Sequence, residues 1–299
     1  MNVGVVGNPN YPDLGAILAT LSQKASQYGL ALYSEEPLLP LWPPADGQPA
    51  PQPLSQASGN LDCLITLGGD GTLMEVLSAL AHQGPPVGVL AGGTANVVAR
   101  TLRIPLNPAR AIPLLLNGDE AILDLGRLGD GRRFAIGVGV GLDATMISEA
   151  PARLKKRFGF MAYVIGGYKA VIRNKKFSLR LSVDGTVYDR AASAVLIANF
   201  GAVLNDFVSF GDGILQDDGL LNACVFSPDN LRDSLRILWR MIRRDFGDDP
   251  CLFYKSGREF RVETLPQMPA QADGELLGGT PLTVRVDPLA GRFLIPRRN

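Results

Sequence analysis

A glycine-rich turn between an apolar run and a helix-forming run constrains this chain more than any other feature. Residues 64–67 read Leu-Ile-Thr-Leu, residues 68–72 read Gly-Gly-Asp-Gly-Thr, and helix formers continue from there to Ala81. A turn so rich in glycine lets a ligand reach backbone N–H groups at the positive end of a helix dipole. Asp70 adds a carboxylate that could hold a metal ion or a reacting hydroxyl. The pattern therefore predicts a strand–loop–helix unit that handles phosphate, in preference to a plain tight turn.

The composition describes a globular protein whose net charge identifies no partner. Its 299 residues suit about two domains, each long enough to enclose a core. Lysine plus arginine equals aspartate plus glutamate at 29 each, and 46% of residues are hydrophobic, which excludes a disordered chain. Three widely spaced cysteines argue against a disulfide scaffold or a zinc site and favour a reducing cytosol. No apolar run approaches the ~18 residues of a membrane span, and the first residues read as a strand, so we expect a cytoplasmic protein.

Strand and helix patterns alternate through the first part of the chain. Apolar runs predict strands at 3–6, 30–33, 63–67 and 86–90, and helical spacing predicts helices at 14–28, 70–81 and 97–102. This alternation predicts a doubly wound, mostly parallel α/β sheet with helices on both faces. Ligands of such sheets bind beyond the carboxyl ends of the strands. Residues 37–59 contain seven prolines and are interpreted as a long surface loop or lid.

The second part of the chain has the pattern of an antiparallel β-sandwich-like domain. Predicted strands cover 133–140, 178–183, 194–198, 220–226, 259–263 and 282–286, with helical stretches near 155–173 and 230–244. Asp184 and Gly185 form a predicted hairpin turn. We therefore expect two domains, 1–122 and 123–299, and leave open that the last segment returns to the first domain.

A second glycine loop follows the predicted strand at 86–90. It begins at Gly92 and Gly93 and presents the Thr94 hydroxyl, the Asn96 amide and, about one turn of helix later, the Arg100 guanidinium. These groups suit a nucleoside triphosphate, and no P-loop motif occurs in the chain. The alternative is a plain strand–helix turn followed by a surface arginine. Two such loops on neighbouring strands favour the nucleotide.

Six motifs follow one another from about residue 60 to the C-terminus. They are the glycine turn at 68–72, the segment 86–100, Ile122–Gly126, Gly141–Ala144, Asp217–Leu221 and Asp273–Glu275. In this order they resemble the diacylglycerol kinase catalytic family, which includes sphingosine, ceramide and bacterial lipid kinases. The family is distantly similar in fold to NAD kinases.

The resemblance implies transfer of the γ-phosphoryl group of ATP to a lipid hydroxyl, with Mg²⁺ as cofactor and the nucleotide lying between the two domains. The implied nucleotide-binding residues are Gly68, Gly69, Asp70, Gly71, Thr72, Gly93, Thr94, Asn96 and Arg100. Glu275 takes the place of the general base on the acceptor hydroxyl, and Asp70 is the competing candidate. Without the other motifs, residues 273–275 would be interpreted as a hairpin turn with exposed acids.

The resemblance also implies a structural metal on the loop before the predicted strand at 220–226. By position, its ligands are the Asp218 carboxylate and the backbone carbonyls of Leu215 and Leu220. Hard oxygen donors of this kind suit Mg²⁺ or Ca²⁺. The alternative is that residues 217–219 only form a turn.

Two departures from the family pattern affect the nucleotide site. The family often has an aspartate directly after the second glycine loop, where this chain has Val97. The first loop, Asn8–Gly15, lacks the basic residues usual in the family and looks more like the start of an NAD kinase. Phosphate neutralisation would then depend on Arg100 or on basic residues of the second domain.

A lipid substrate also demands contact with a membrane surface. Residues 153–176 carry eight basic residues and no acid, with aromatic residues among them, and could bind an anionic leaflet. The alternative, an ordinary amphipathic helix with a solvated basic face, is left open for this segment and preferred for the arginine-rich stretch 231–246. We expect peripheral membrane association and no nucleic-acid partner, and we leave a homodimer open.

Two other functions remain as alternatives. An NAD kinase would share the Gly-Gly-Asp-Gly-Thr turn, although the second glycine loop and residues 273–275 favour the lipid branch. A non-catalytic nucleotide- or lipid-binding member of the fold is suggested by Val97 and by the first loop without basic residues. The sequence does not identify the acceptor lipid.

Overall fold

The computed structural model describes residues 1–11, 13–43, 50–57, 59–92, 96–141, 176–200, 202–203, 208–209, 214–245, 247–273 and 275–297. The chain divides into two units, the first Met1–Leu123 with Ala290–Asn299 and the second Asp124–Leu289. Gly93, Thr94, residues 142–144 of the fourth motif and all but Lys176 of the basic segment 153–176 lie outside the described residues.

The first unit alternates strands and helices. Its elements are β1 (Asn2–Gly7), α1 (Leu14–Tyr28), β2 (Ala31–Ser34), a 3₁₀ helix (Glu36–Leu41), β3 (Gln52–Pro53), a 3₁₀ helix (Leu54–Gln56), β4 (Cys63–Gly68), α2 (Asp70–Leu80), β5 (Val87–Ala91), α3 (Val97–Thr101) and α4 (Pro108–Leu116). The strand β6 (Asp119–Leu128) passes from the first unit into the second.

The second unit is mostly strands. Its elements are β7 (Arg133–Phe134), β8 (Gly137–Val140), β9 (Phe177–Val183), β10 (Thr186–Ala192), β11 (Ala194–Ala198), β12 (Ala202–Val203), β13 (Val208–Ser209), β14 (Leu221–Phe226), α5 (Leu231–Arg243), β15 (Leu252–Gly257), β16 (Glu259–Leu265), β17 (Pro269–Ala272), β18 (Glu275–Gly279) and β19 (Leu282–Ile295). The last residues of β19, from Ala290 onward, belong to the first unit.

The sheet of the first unit is parallel, as predicted. Its strand order is β3-β2-β1-β4-β5, and the end of β19 runs parallel to β5 with Phe293 opposite Val87. Every residue of β4 and β5 is buried, which explains why both read as continuous apolar runs. The chain order reverses at β1, which lies between β2 and β4. Loops that leave the carboxyl ends of β1 and β4 therefore flank the place where doubly wound sheets bind ligands.

The proline-rich stretch 37–59 differs from the predicted surface loop. Residues 36–41 form a 3₁₀ helix in which Leu38 is fully buried. Trp42 is only 9% exposed, and its indole N–H donates to the Ser34 hydroxyl over 3.0 Å. Burial of large apolar side chains such as these favours folding. Leu38, Trp42 and Ala57 therefore anchor the stretch, while its other described residues are exposed or half-buried, as a surface segment would be.

The second unit consists of antiparallel sheets, which confirms the predicted sandwich-like domain. One sheet has the order β10-β9-β16-β19, and β15-β14-β11-β8-β17-β18 form another. Alternate residues of β9 are buried, as expected for a strand with one face on the core. The hairpin turn at Asp184 and Gly185 is confirmed, with φ of 48° and 85°, the left-handed pair of a type I′ turn.

Several boundaries differ from the predictions. The predicted strand 133–140 is divided into β7 and β8, and β19 extends to Ile295 rather than ending at residue 286. The predicted helix near 230–244 is present as α5. Among the described residues, no helix is both long enough and apolar enough to cross a bilayer.

Candidate functional site

The loops that follow β1, β4 and β5 in the first unit are joined by backbone hydrogen bonds. The Asn8 N–H donates to the Leu67 carbonyl over 3.1 Å, which fixes the loop after β1 against the end of β4. The Gly92 N–H donates to the Gly68 carbonyl over 2.9 Å, which fixes the loop after β5 against the same strand end. Three loops therefore meet at the point of the sheet where the strand order reverses.

The first glycine turn connects β4 directly to α2. Gly69 precedes the helix in an extended conformation, and Asp70 is its first residue. A Cβ on Gly68 would lie 2.5 Å from the Thr72 hydroxyl oxygen, so the turn closes only around a residue without a side chain. Gly71 lies in the first turn of α2, whose N–H groups have no partners within the helix. The predicted set 68–72 therefore surrounds the start of one helix.

Asp70 connects the two glycine loops. Its carboxylate accepts a hydrogen bond from the Val98 N–H over 3.4 Å, and Val98 lies in α3, directly after the second loop. Asn96 precedes α3 in the left-handed conformation, with φ of 48°, and is buried. Arg100 is half-buried in the last turn of that helix. The structure thus places Asp70 against α3, the helix that follows Asn96 and carries Arg100.

Tyr11 is a site residue that the sequence did not indicate. Its hydroxyl donates to the Ala91 carbonyl at the end of β5 over 2.7 Å. A Cβ on Gly92 would overlap the Tyr11 ring, so the ring packs directly on the backbone of the second loop. Burial, and then the charge of Asp13, raises the pKa of Tyr11, which keeps the phenol protonated as a donor. The space beside the Gly92 backbone on this side is therefore filled by Tyr11.

In the second unit, a buried carboxylate shapes the loop predicted to bind metal. Asp124, 1% exposed, accepts hydrogen bonds from the N–H groups of Gly219 over 2.6 Å and Leu289 over 2.8 Å. Its own N–H donates to the Gln216 carbonyl over 2.6 Å. Asp124 belongs to the Ile122–Gly126 motif, to which no role had been assigned. The loop 216–219 is therefore held in shape from the interior of the unit.

The predicted metal ligands lie on the outer side of this loop. Asp218 and Leu215 are exposed, and one Asp218 carboxylate oxygen accepts a hydrogen bond from the Leu220 N–H over 3.0 Å. A carboxylate and backbone carbonyls are hard oxygen donors that fit Mg²⁺ or Ca²⁺ in kind. Within the described part of the chain, no three or more acidic, histidine or cysteine side chains are grouped as metal ligands. An ion on this loop would be held by the single Asp218 carboxylate together with backbone carbonyls and water.

Asn199 connects β6 to the segment between β7 and β8. It is fully buried, and its side-chain N–H₂ donates to the Asp124 carbonyl over 2.7 Å and to the Ala135 carbonyl over 2.9 Å. Its side-chain oxygen is buried and accepts no hydrogen bond from the described residues. Burying an acceptor without a hydrogen bond costs free energy of folding, so the two hydrogen bonds that this amide donates must offset that cost.

The hairpin that carries Glu275 is fixed by Asp273. The Asp273 carboxylate accepts hydrogen bonds from three successive N–H groups, those of Ala135, Ile136 and Gly137, over 2.7–3.0 Å. Glu275 starts β18 opposite Ala272. The interpretation of 273–275 as a hairpin turn is right, but its first acid is not an exposed one. Asp273 is bound to the backbone, and Glu275 extends from a fixed hairpin.

A small cavity adjoins the strand that begins at Glu275. It has a volume of about 330 Å³, and its walls include Leu128, Arg132, Arg261 and Leu277. Leu277 is two residues from Glu275, at a point where the register of β17 and β18 shifts. The pKa of Arg132 is raised first by its hydrogen bond to Asp130 and also by the charge of Glu275. Glu275 therefore lies near the Arg132 guanidinium, and its strand borders a cavity with both apolar and basic walls.

Two family models cover most of the chain. One, described as a diacylglycerol kinase catalytic domain, matches residues 39–128. The other, described as a YegS C-terminal NAD kinase beta sandwich-like domain, matches residues 137–295, which is more than half of the chain. The first match includes β3 to β6, and the second includes β8 to β19.

Curated relatives are similar over most of this chain. A diacylglycerol kinase from Staphylococcus aureus (strain bovine RF122 / ET3-1) is 29% identical over 228 residues, covering 74% of this chain and 70% of that protein. An uncharacterized protein from Synechocystis is 28% identical over 249 residues, which is 82% of this chain. The match spans 57% of the Synechocystis protein's own length.

Solved structures share the fold. A diacylglycerol kinase from Bacillus anthracis superimposes with a TM-score of 0.69 at 20% identity, covering 98% of this chain and 96% of that one. An NAD kinase from Archaeoglobus fulgidus, solved in complex with ATP, gives a TM-score of 0.52 at 13% identity, covering 99% and 94%. These likenesses establish the fold alone.

Proposed function

We propose that this chain phosphorylates a lipid hydroxyl with ATP. It belongs to the kinase family that joins a diacylglycerol kinase catalytic domain to a YegS-type beta sandwich-like domain. Enzymes of this family transfer phosphate to an alcohol. The observation that carries the proposal is the junction of two glycine loops through Asp70 at the reversal point of a parallel sheet. Sheets of this class bind their ligands at this point.

The first unit would hold the phosphates of ATP. Backbone N–H groups at the start of α2 can donate to phosphate oxygens, and the residues without side chains at 68, 69 and 71 allow close approach. Arg100, one helix away, can neutralise part of the phosphate charge. Phosphoryl transfer requires mainly positioning and charge neutralisation, which is what these groups offer.

Glu275 would act as the general base. Its carboxylate would accept the proton of the lipid hydroxyl while the hydroxyl oxygen bonds to the γ-phosphorus and ADP leaves with the electrons of the broken P–O bond. Asp273 supports this role because three backbone hydrogen bonds fix the hairpin from which Glu275 extends. Asp70 would orient the nucleotide or the acceptor, since its carboxylate is engaged with α3.

Mg²⁺ completes the proposal. Asp218, with the carbonyls of Leu215 and Leu220, would hold a structural Mg²⁺ or Ca²⁺, and Asp124 would keep this loop ready for it. When bound with the nucleotide, Mg²⁺ supplies positive charge that offsets the phosphate oxygens.

A lipid acceptor implies work at a membrane surface. The proposal therefore includes a cytoplasmic protein that associates peripherally with an anionic leaflet. Its acceptor class would be lipids with a free hydroxyl at that surface, with diacylglycerol as the first candidate because the S. aureus relative carries that name.

Phosphorylation of NAD is a second candidate. It is favoured by the segment Asn8–Gly15, which carries no basic residue, and by the fold shared with the Archaeoglobus NAD kinase. The motifs at 92–100 and 273–275 favour the lipid acceptor.

The test is a parallel assay of purified protein with γ-labelled ATP and Mg²⁺. One arm contains vesicles with diacylglycerol, ceramide, a sphingoid base or a polyprenol, and the other contains NAD. We expect label in a lipid, and none with Glu275→Gln. Labelled NAD without labelled lipid would identify an NAD kinase, whereas ATP binding without transfer in either arm would identify a non-catalytic member.

A further inference from the structure

The helix α5 exposes two large apolar side chains on one face. Leu235 is 52% exposed and Trp239 is 56% exposed, and they are four residues apart, one turn along the same side. The opposite side packs on the second unit through Ser234, Ile237 and Met241, which are buried. The sequence interpretation of this stretch, a helix with a core side and a solvated basic side, is therefore incomplete. The solvated side has an apolar centre.

Arginines surround this centre. Arg236 and Arg243 lie three and four residues from Trp239, Arg232 lies about two turns before it, and all three are exposed with it. The Arg243 guanidinium lies 4.8 Å from the centre of the Trp239 ring. We call Arg232, Leu235, Arg236, Trp239 and Arg243 the α5 face.

The acids near the helix are off this face or already paired. Asp233 lies about a quarter turn away and contacts Arg236 at 3.2 Å. Asp249, 2% exposed, pairs with Arg236 and with Arg240 at 3.1 and 2.9 Å. Asp245 pairs with Arg240, and Asp248 is exposed in the segment after the helix. The charge of Arg236 is therefore offset by Asp233 and Asp249, and the positive charge of the α5 face comes from Arg232 and Arg243. The face itself carries no carboxylate.

We propose that the α5 face docks on an anionic bilayer, with α5 lying in the plane of the headgroups. This deepens the proposed function and rests on it, because a lipid acceptor must be reached at a surface. Tryptophan favours the depth of the headgroups, leucine enters the acyl boundary, and arginines bind lipid phosphates. A convex helix surface with no acid suits a fluid anionic layer better than the groove of a folded partner, which needs matched acids at fixed positions.

Trp239 is also a reporter for this contact. The chain has two tryptophans, and the other, Trp42, is 9% exposed with its N–H bonded to Ser34. Vesicles with phosphatidylglycerol should shift the emission of the full-length protein to the blue, and brominated acyl chains should quench it. Vesicles of phosphatidylcholine alone should do neither. Trp239→Phe should remove the shift, which assigns it to α5.

Co-sedimentation with the same vesicles measures the contribution of each group. Leu235→Ser with Trp239→Ser should weaken binding at least tenfold. Arg232→Gln and Arg243→Gln should each weaken it about fivefold at low salt, and less at high salt. Val187→Ser and Arg285→Gln are matched controls, since both residues are exposed and belong to β10 and β19 rather than to α5, and these variants should bind as the wild type does.

Three results would overturn the proposal. The protein could co-sediment with unchanged tryptophan emission, the α5 variants could bind as tightly as the controls, or Trp239 could be buried in a stable oligomer without vesicles. Turnover of a short-chain diacylglycerol dispersed in water is measured alongside. If the wild type neither phosphorylates this dispersed substrate nor labels a lipid in vesicles, the proposed function is contradicted. Binding of the α5 face to vesicles is then decided by the emission and co-sedimentation results alone.

Discussion

The two turns that carry the predicted catalytic acids share an Asp-Gly pair and differ in how they are built. The turn at 68–72 in the first unit joins a parallel strand to a helix, and the turn at 272–275 in the second unit joins two antiparallel strands. Both place an acid next to a glycine. In the first turn that acid, Asp70, bonds to the backbone of another helix, and in the second turn Asp273 bonds to three N–H groups of a neighbouring segment.

The difference lies in what remains after these bonds are made. In the strand–helix turn, backbone N–H groups at the start of α2 have no partners within the helix, so the turn presents donors. In the hairpin, Asp273 consumes the nearby donors, and Glu275 adds a second acid as β18 begins. In both turns, the aspartate beside a glycine therefore stabilises the turn by accepting backbone hydrogen bonds from another segment. The first turn is suited to bind an anion, and the second to accept a proton.

The comparison predicts the largest effect for Glu275→Gln. If Glu275 accepts the proton of the acceptor hydroxyl, kcat should fall by about 10²–10⁴-fold, while the KM for ATP and thermal stability stay near wild type. Asp70→Asn should instead raise the KM for ATP as well as lower kcat, because it loosens the contact between α2 and α3. Steady-state kinetics with labelled ATP and the lipid acceptor measures both.

The reverse pattern would exchange the two roles. A selective loss of kcat in Asp70→Asn, with Glu275→Gln near wild type, would make the acid of the first turn the base. Glu259→Gln is the matched control, since Glu259 is an exposed acid of the same unit that pairs with Arg285, and it should retain wild-type kcat.

The next effect is on stability and concerns Asp273. Asp273→Asn should lower the free energy of unfolding by about 3 kcal/mol, because an amide replaces a charged acceptor that serves three N–H groups. Asparagine tolerates the φ of 47° at this position, so backbone strain does not contribute. Urea unfolding measures the loss. An unchanged midpoint would mean that the hairpin is held by its strands alone.

Much of the fold could be predicted because most helices and strands follow from patterns of residues that are close in sequence. The helix 14–28 and the strands of the parallel sheet follow from apolar spacing, and the Asp184–Gly185 turn follows from the left-handed preference of its residues. The strand β10 was missed because it is largely exposed and lacks an apolar alternation. Likewise, β19 runs past Asp287 and Pro288, which are residues that usually end a strand.

Less of the candidate site could be predicted, because its contacts join distant parts of the chain. The motifs named the residues 68–72 and Glu275, whose roles stay predictions. Asn199 bonds to Asp124 across 75 positions, and Tyr11 bonds to Ala91 across 80. Local sequence patterns do not predict such pairs, since each of the paired residues, taken by itself, suits a turn or the end of a strand. Their partners become visible only when the sheets are assembled.

The second glycine loop allows a test of how closely the glycine loops of the first unit are packed. Gly92→Ala should destabilise the protein by about 2 kcal/mol, because the added methyl group overlaps the Tyr11 ring. Tyr11→Ala in the same chain should recover part of that loss, because the ring that causes the overlap is gone. A double-mutant cycle by urea unfolding gives the coupling. Additive losses would show that the Tyr11 ring is not the cause of the destabilisation. Gly15→Ala is the control for replacing a glycine in open space, because a Cβ on Gly15 meets nothing within 4 Å and its φ is not positive.

The smallest expected effect is that of the Tyr11 hydroxyl itself. Tyr11→Phe keeps the ring on Gly92 and removes one hydrogen bond to the Ala91 carbonyl, so stability at pH 7 should fall by about 1 kcal/mol. Because the folded-state pKa of Tyr11 is raised, deprotonation favours the unfolded chain. The advantage of wild type over the variant should therefore be constant at neutral pH and shrink as the pH rises above about 10. Tyr28→Phe, at an exposed tyrosine that ends α1, should change neither quantity. Equal losses in both variants would remove Tyr11 from the site and leave the three loops joined by their backbone bonds alone.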